Sequence, residues 1–133
     1  MSAVVADTHA IVWMLQADPR LSAVARQALD NAVATSGRIY VSAISLVELV
    51  YLVERQRVPC QAWDRLLGVT REHGSYLAVI PIDAELAAAV EQVPAADIPD
   101  MPDRIIAATA LLLDVPLVTR DRRIAASTIK TIW

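Results

Sequence analysis

A chain of 133 residues, 56% hydrophobic and without Phe, is sized for a single domain, 1–133, with a core of small aliphatic side chains. One cysteine, Cys60, excludes an internal disulfide and a cysteine-rich zinc site; with no apolar run long enough to span a membrane and no basic leader, a cytoplasmic protein is expected. The formal net charge of −3 argues against a global nucleic-acid footprint, although a cluster of acids can mask a local basic patch.

The run Val4–Ala6 reads as a short buried strand that stops at a carboxylate, Asp7. A short helix over Ala10–Gln16 follows and is broken by Asp18-Pro19. Ser22 is placed to cap a helix reaching about Ala34, with Leu21, Val24, Ala25, Ala28, Leu29 and Ala32 on its apolar face, and Gly37 closes it. Ile39–Val41 is a second strand, and Ser42 caps a helix from Ala43 to about Arg57. After Pro59 another helix runs from Gln61 to about Glu72, stopped by Gly74. Leu77–Ile82 is a third strand, and Asp83 caps a helix to Val93. The Pro- and Asp-rich loop PAADIPDMP leads into a helix from Asp103 to Leu113, then a strand at Leu117–Thr119 and a fifth at Ile129–Trp133. Short strands, apolar on both faces and alternating with helices, predict a mainly parallel sheet covered on both sides, with the functional crevice beyond the carboxyl ends of its strands. The segment ISLVELVYLV, Ile44–Val53, is apolar at eight of ten positions, so that helix is expected to pack on the sheet and to offer a second face to another subunit or a partner protein.

Four acids fall where that crevice should lie: Asp7 after the first strand, Glu48 in the third helix, Asp103 at a helix start and Asp121 after the fourth strand. Taken singly, Asp7 suits a helix cap, Asp103 the positive end of a helix dipole and Asp121 a turn. Glu48 could complete a capping box from Ser45, but if Ser42 is the cap it lies past the first turn, an acid in the most apolar helix of the chain. Several carboxylates converging on one crevice need shared protons or a cation. An all-oxygen donor set suits Mg²⁺ or Mn²⁺, and a divalent ion so held does phosphoryl-transfer chemistry.

The blocks VADTHAIVW, VSAISLVEL, PDRIIAATA and LVTRD resemble, in that order, the motifs of PIN-domain ribonucleases, and among these the VapC-type toxins of type II toxin–antitoxin pairs. The resemblance implies a three-layer α/β/α fold around a short, mainly parallel twisted sheet, and Mg²⁺- or Mn²⁺-dependent endonucleolytic cleavage of RNA by metal-activated water. Asp7, Glu48, Asp103 and Asp121 match the family's acidic quartet, with Thr8 and Thr119 as supporting hydroxyls. Asp7 and Asp103 are expected to hold the main ion, and Glu48 and Asp121 to bind a second or orient the attacking water. Hydrolysis of this kind leaves a 5′-phosphate and a 3′-hydroxyl, whereas attack by the 2′-hydroxyl leaves a cyclic phosphate. The resemblance also implies a homodimer and a VapB-type antitoxin as partner. Relatives often read Asp-Pro-x-Asp-Arg where this chain has Asp100-Met101-Pro102-Asp103-Arg104, so Asp100 is a further metal-ligand candidate.

His9 is a candidate general base or a helix-start side chain that hydrogen-bonds locally. Arg120, Arg122 and Arg123 are candidates for gripping RNA phosphates or for salt bridges to the acids. Trp13, Trp63 and Tyr51 could stack bases or dock the antitoxin, with core packing expected for at least one; Cys60 is structural or surface. The competing readings are an inactive PIN-like interaction module, an aspartyl-phosphate phosphatase and a receiver domain. The phosphatase usually has a second Asp where this chain has His9, and the receiver needs a mouth lysine where Lys130 lies inside a strand.

Overall fold

A computed structural model describes residues 3–133. Its strands are β1 (Val4–Ala6), β2 (Ile39–Ser42), β3 (Leu77–Ile80), β4 (Leu117–Val118) and β5 (Thr131–Ile132). They form one sheet in the order β3-β2-β1-β4-β5, every described pair parallel. The helices are α1 (Thr8–Leu15), α2 (Ala23–Asn31), α3 (Ala43–Glu54), α4 (Cys60–Arg71), α5 (Ala84–Glu91), α6 (Met101–Leu113) and α7 (Arg122–Ala125).

Alternation along each strand sorts the core into two clusters, one per sheet face. Val4, Ala6, Ile39 and Val41 pack with Ile11 of α1, Leu29 of α2 and Leu66 of α4. Val5 and Leu117 face the other way, against Leu86 of α5 and Ile106 of α6. These side chains are almost fully excluded from water, each burial contributing roughly 1.5–3 kcal/mol against the entropy of ordering the chain. The result is the expected three-layer α/β/α arrangement. The chain leaves β1 toward β2 and β3 on one side, then returns to place β4 on the other. That reversal opens a crevice at the carboxyl ends of β1 and β4.

Element ends differ from the sequence reading for local reasons. α1 starts at Thr8, two residues early, because the Ala10 N–H donates to Asp7 Oδ1 at 2.9 Å. α2 stops at Asn31 and widens into a π turn over Ala32–Ser36, closed by Gly37 at φ +68°, a conformation that favours a residue without Cβ. β3 ends at Ile80, since Pro81 has no N–H for the ladder. α6 starts at Met101, with Pro102 in the first turn, where a missing N–H costs nothing. α7, four residues long, is too short to show a period in the sequence.

Candidate active site

Asp7 stands where β1 leaves the core. Its N–H donates to Val118 O across the β1–β4 ladder at 3.1 Å, so the backbone that carries the carboxylate belongs to the sheet. Its side chain also accepts a hydrogen bond from Thr119, which is almost fully buried. The Thr119 hydroxyl in turn accepts from the Asp121 N–H at 3.0 Å and so ties the two acids together. Asp121 Oδ1 accepts the N–H groups of Arg123 at 2.8 Å and Ile124 at 3.0 Å, capping α7. The helix-cap reading of Asp7 and a place in the crevice are therefore both true of one side chain.

Glu48 is not part of a capping box. The Ile44 N–H donates to Ser42 Oγ at 3.2 Å, which makes Ser42 the cap and places Glu48 in the second turn of α3. Glu48 Oε1 instead accepts from the Thr8 hydroxyl at 2.6 Å, and that hydroxyl shares a second bond with Ser45 Oγ, 2.9 Å away. Ser45 and Thr8 are buried, so α1 and α3 are pinned together directly under the acid. Sequence reasoning considered Ser45 only as a cap; the available signal was its position one turn before Glu48, on the same helix face.

Asp7, Glu48, Asp100, Asp103 and Asp121 all line one open cleft of about 360 Å³ at the crevice. Burial, the hydrogen bond that its protonated carboxyl donates to Asp100, and the charges of Asp100, Asp121 and Glu48 push the Asp103 carboxyl up to about 7. Burial also raises Asp7 and Glu48, against the opposing pull of their hydroxyl partners. A carboxyl bonded to a carboxyl holds a proton that a cation can replace, and the donors are all oxygen, so the chemistry of the set fits a hard divalent ion. Among the described residues no three His, Cys, Asp or Glu side chains stand close enough to ligate one ion as placed. The geometry is a shared cleft rather than a closed cage.

The other candidates separate. His9 is exposed and lines the cleft, and its ring packs 5.4 Å from Trp13 rather than hydrogen-bonding locally. Arg120 lines the cleft; Arg122 and Arg123 are exposed on α7 outside its lining. Trp13 is buried in the core, Trp63 packs against it, and Tyr51 is 54% exposed. Cys60 is an exposed free thiol. Among the described residues no helix is long and apolar enough to cross a membrane.

The PIN domain model matches residues 4–128. Ribonuclease VapC22 of Mycobacterium tuberculosis (strain ATCC 25618 / H37Rv) is 34% identical over 128 residues, covering 93% of this chain and 91% of that protein. Two solved structures share the fold. VapBC2 from Rickettsia felis bound to a promoter DNA fragment has a TM-score of 0.69 at 17% identity, covering 97% of this chain and 96% of that one. A toxin–antitoxin complex from Klebsiella pneumoniae has a TM-score of 0.69 at 22% identity, covering 98% and 96%.

Proposed function

Because the chain belongs to the PIN-domain family, we propose that it is a divalent-metal-dependent endoribonuclease acting as the toxin of a toxin–antitoxin pair, with Asp7, Glu48, Asp103 and Asp121 as its acids. The observation that carries this reading is that these acids, from four separate stretches of sequence, line one cleft at the switch point of a parallel sheet. Mg²⁺ or Mn²⁺ is the ion proposed.

When bound, the cation neutralises charge at the scissile phosphate and lowers the pKa of water there. The chain's own residues supply the rest. Asp7 and Asp103, which line the same cleft, would hold the cation, with Asp100 beside Asp103. Asp7 is kept in place by the Ala10 N–H and Thr119, so little of its freedom is lost on binding. Glu48, oriented by Thr8, and Asp121, oriented by the α7 backbone, would hold a second ion or accept a proton from the attacking water. The new bond joins water oxygen to phosphorus, the bond from phosphorus to the 3′-oxygen breaks, and that oxygen takes up a proton. The products are a 5′-phosphate and a 3′-hydroxyl. Exposed apolar side chains beside the acids, Val47, Tyr51 and Met101, line a groove and support a protein partner, antitoxin or second copy.

The test is cleavage of single-stranded RNA by the purified chain with Mg²⁺, Mn²⁺ or EDTA, with the ends of the products identified. D7N is expected to keep the fold by circular dichroism and to lose more than about 100-fold in rate, above the usual effect of removing an outer-shell partner. Cleavage by D7N at the wild-type rate would falsify the site. The open spacing of the acids favours one rival, an inactive interaction module, and absence of Mn²⁺ binding in a calorimetric titration would select it.

A further inference from the structure

A polyanion must enter a cleft lined by Asp7, Glu48, Asp100, Asp103 and Asp121, on a chain of net charge −3. We infer that the Trp13 indole holds the Arg120 guanidinium at the mouth of this cleft as a phosphate-binding group for the RNA strand, an inference that rests on the ribonuclease reading. Arg120 Cζ lies 4.7 Å from the Trp13 ring centroid, and the side chain is exposed and lines the cleft. With five carboxylates on the same cleft, it pairs with none of them; the ion pair found among the described residues is Arg20 with Asp18 at 2.8 Å. Stacking explains this. A guanidinium laid on an aromatic face is held by the ring quadrupole and stays off the acids.

The platform is rigid. Trp13 is 3% exposed and takes Trp133 edge-on at 5.9 Å. Arg20 packs on the same ring at 4.9 Å, but its Nε and Nη2 are spent on Asp18, at 3.1 and 2.8 Å. Arg122 and Arg123 lie outside the cleft lining. Among the described residues of the cleft lining Arg120 is the one arginine, with His9 also on the Trp13 ring, and its planar fork is suited to bidentate contact with a phosphate. Trp13 is a positioning residue, acting through Arg120.

The experiment is steady-state cleavage of a fluorescein-labelled, mixed-sequence single-stranded oligoribonucleotide with Mg²⁺, across about 50–200 mM NaCl. R120Q is expected to raise KM about tenfold with kcat within about twofold of wild type. It should also flatten the slope of log kcat/KM against log salt by about 1. R120K should keep the slope and lose the KM, because charge remains and the fork is gone. W13F should behave as wild type and W13L as R120Q; if W13L does not fold, the exposed Arg120 variants decide. A wild-type KM and slope in R120Q overturn the inference. So does an R120Q that loses affinity for a protein partner at unchanged KM, which would assign the arginine to that contact. Anisotropy titration of the same RNA reads Arg120 separately from cleavage, so a wild-type chain that binds RNA through Arg120 without cutting it sinks only the ribonuclease reading.

Discussion

Thr8 shows how much one hydroxyl can organise. It is buried beside the first acid in sequence, yet its proton serves Glu48, forty residues away, while Ser45 supports it from beneath. Glu48 is an acid in a helix that is apolar nearly all round, and a carboxylate there needs a donor to hold its charge and its direction. Thr8→Val keeps the shape and removes the donor. It is expected to weaken Mn²⁺ binding and RNA cleavage about 10–100-fold, the usual effect of losing a hydrogen bond to a ligand, while Thr8→Ser restores both. Equal losses in Val and Ser, tracking melting temperature, would mean that Thr8 only packs.

At the scale of elements, caps decide where side chains point. α3 carries Glu48 into the cleft because Ser42, not Ser45, sets its first turn. Ser42 is fully buried, so Ser42→Ala leaves the Ile44 N–H without its partner in a place water does not reach. A loss of about 1 kcal/mol, with a range of roughly 0.5–2, is expected in urea unfolding at unchanged m-value. An unchanged midpoint would show that the backbone finds another acceptor. The proline of the PAADIPDMP loop illustrates the same rule. Its place one residue late against the family pattern is absorbed in the first turn of α6, so Asp100 becomes the residue before the helix and Asp103 stays in the first turn.

At the scale of the whole molecule, the fold buries the acids and brings their like charges together, and that has a sign. The Asp103 carboxyl is raised from 3.8 to about 7, and Asp7 and Glu48 are raised too. Between about pH 4 and 7 the folded chain therefore holds more protons than the unfolded one, so the metal-free protein should lose stability as pH rises through that window. Ligation requires the deprotonated acids, so a divalent ion should stabilise more at pH 8 than at pH 5. At about 100 times its Kd the gain is about 2.7 kcal/mol, read as a rise in melting temperature with Mn²⁺. D103N should flatten the metal-free pH dependence and shrink the metal effect. A metal-free melting temperature that climbs from pH 5 to pH 8 would contradict this account of the cleft.

The sequence by itself determined what depends on neighbours along the chain. Strand and helix identity followed from periodicity, and the caps at Ser22, Ser42 and Asp83 from residue type. The four ordered blocks carried the family, because an acid in each is a pattern one motif cannot imitate. Tertiary structure alone decided what depends on strand order and on packing between distant helices. The placement of β4 beside β1 brings Asp121 and Thr119 to Asp7, the α1–α3 contact gives Glu48 its hydroxyl donor, and the buried Trp13 face separates Arg120 from Arg122 and Arg123. Those juxtapositions are set by which apolar faces bury together, a many-body choice that leaves no short-range trace in the order of residues.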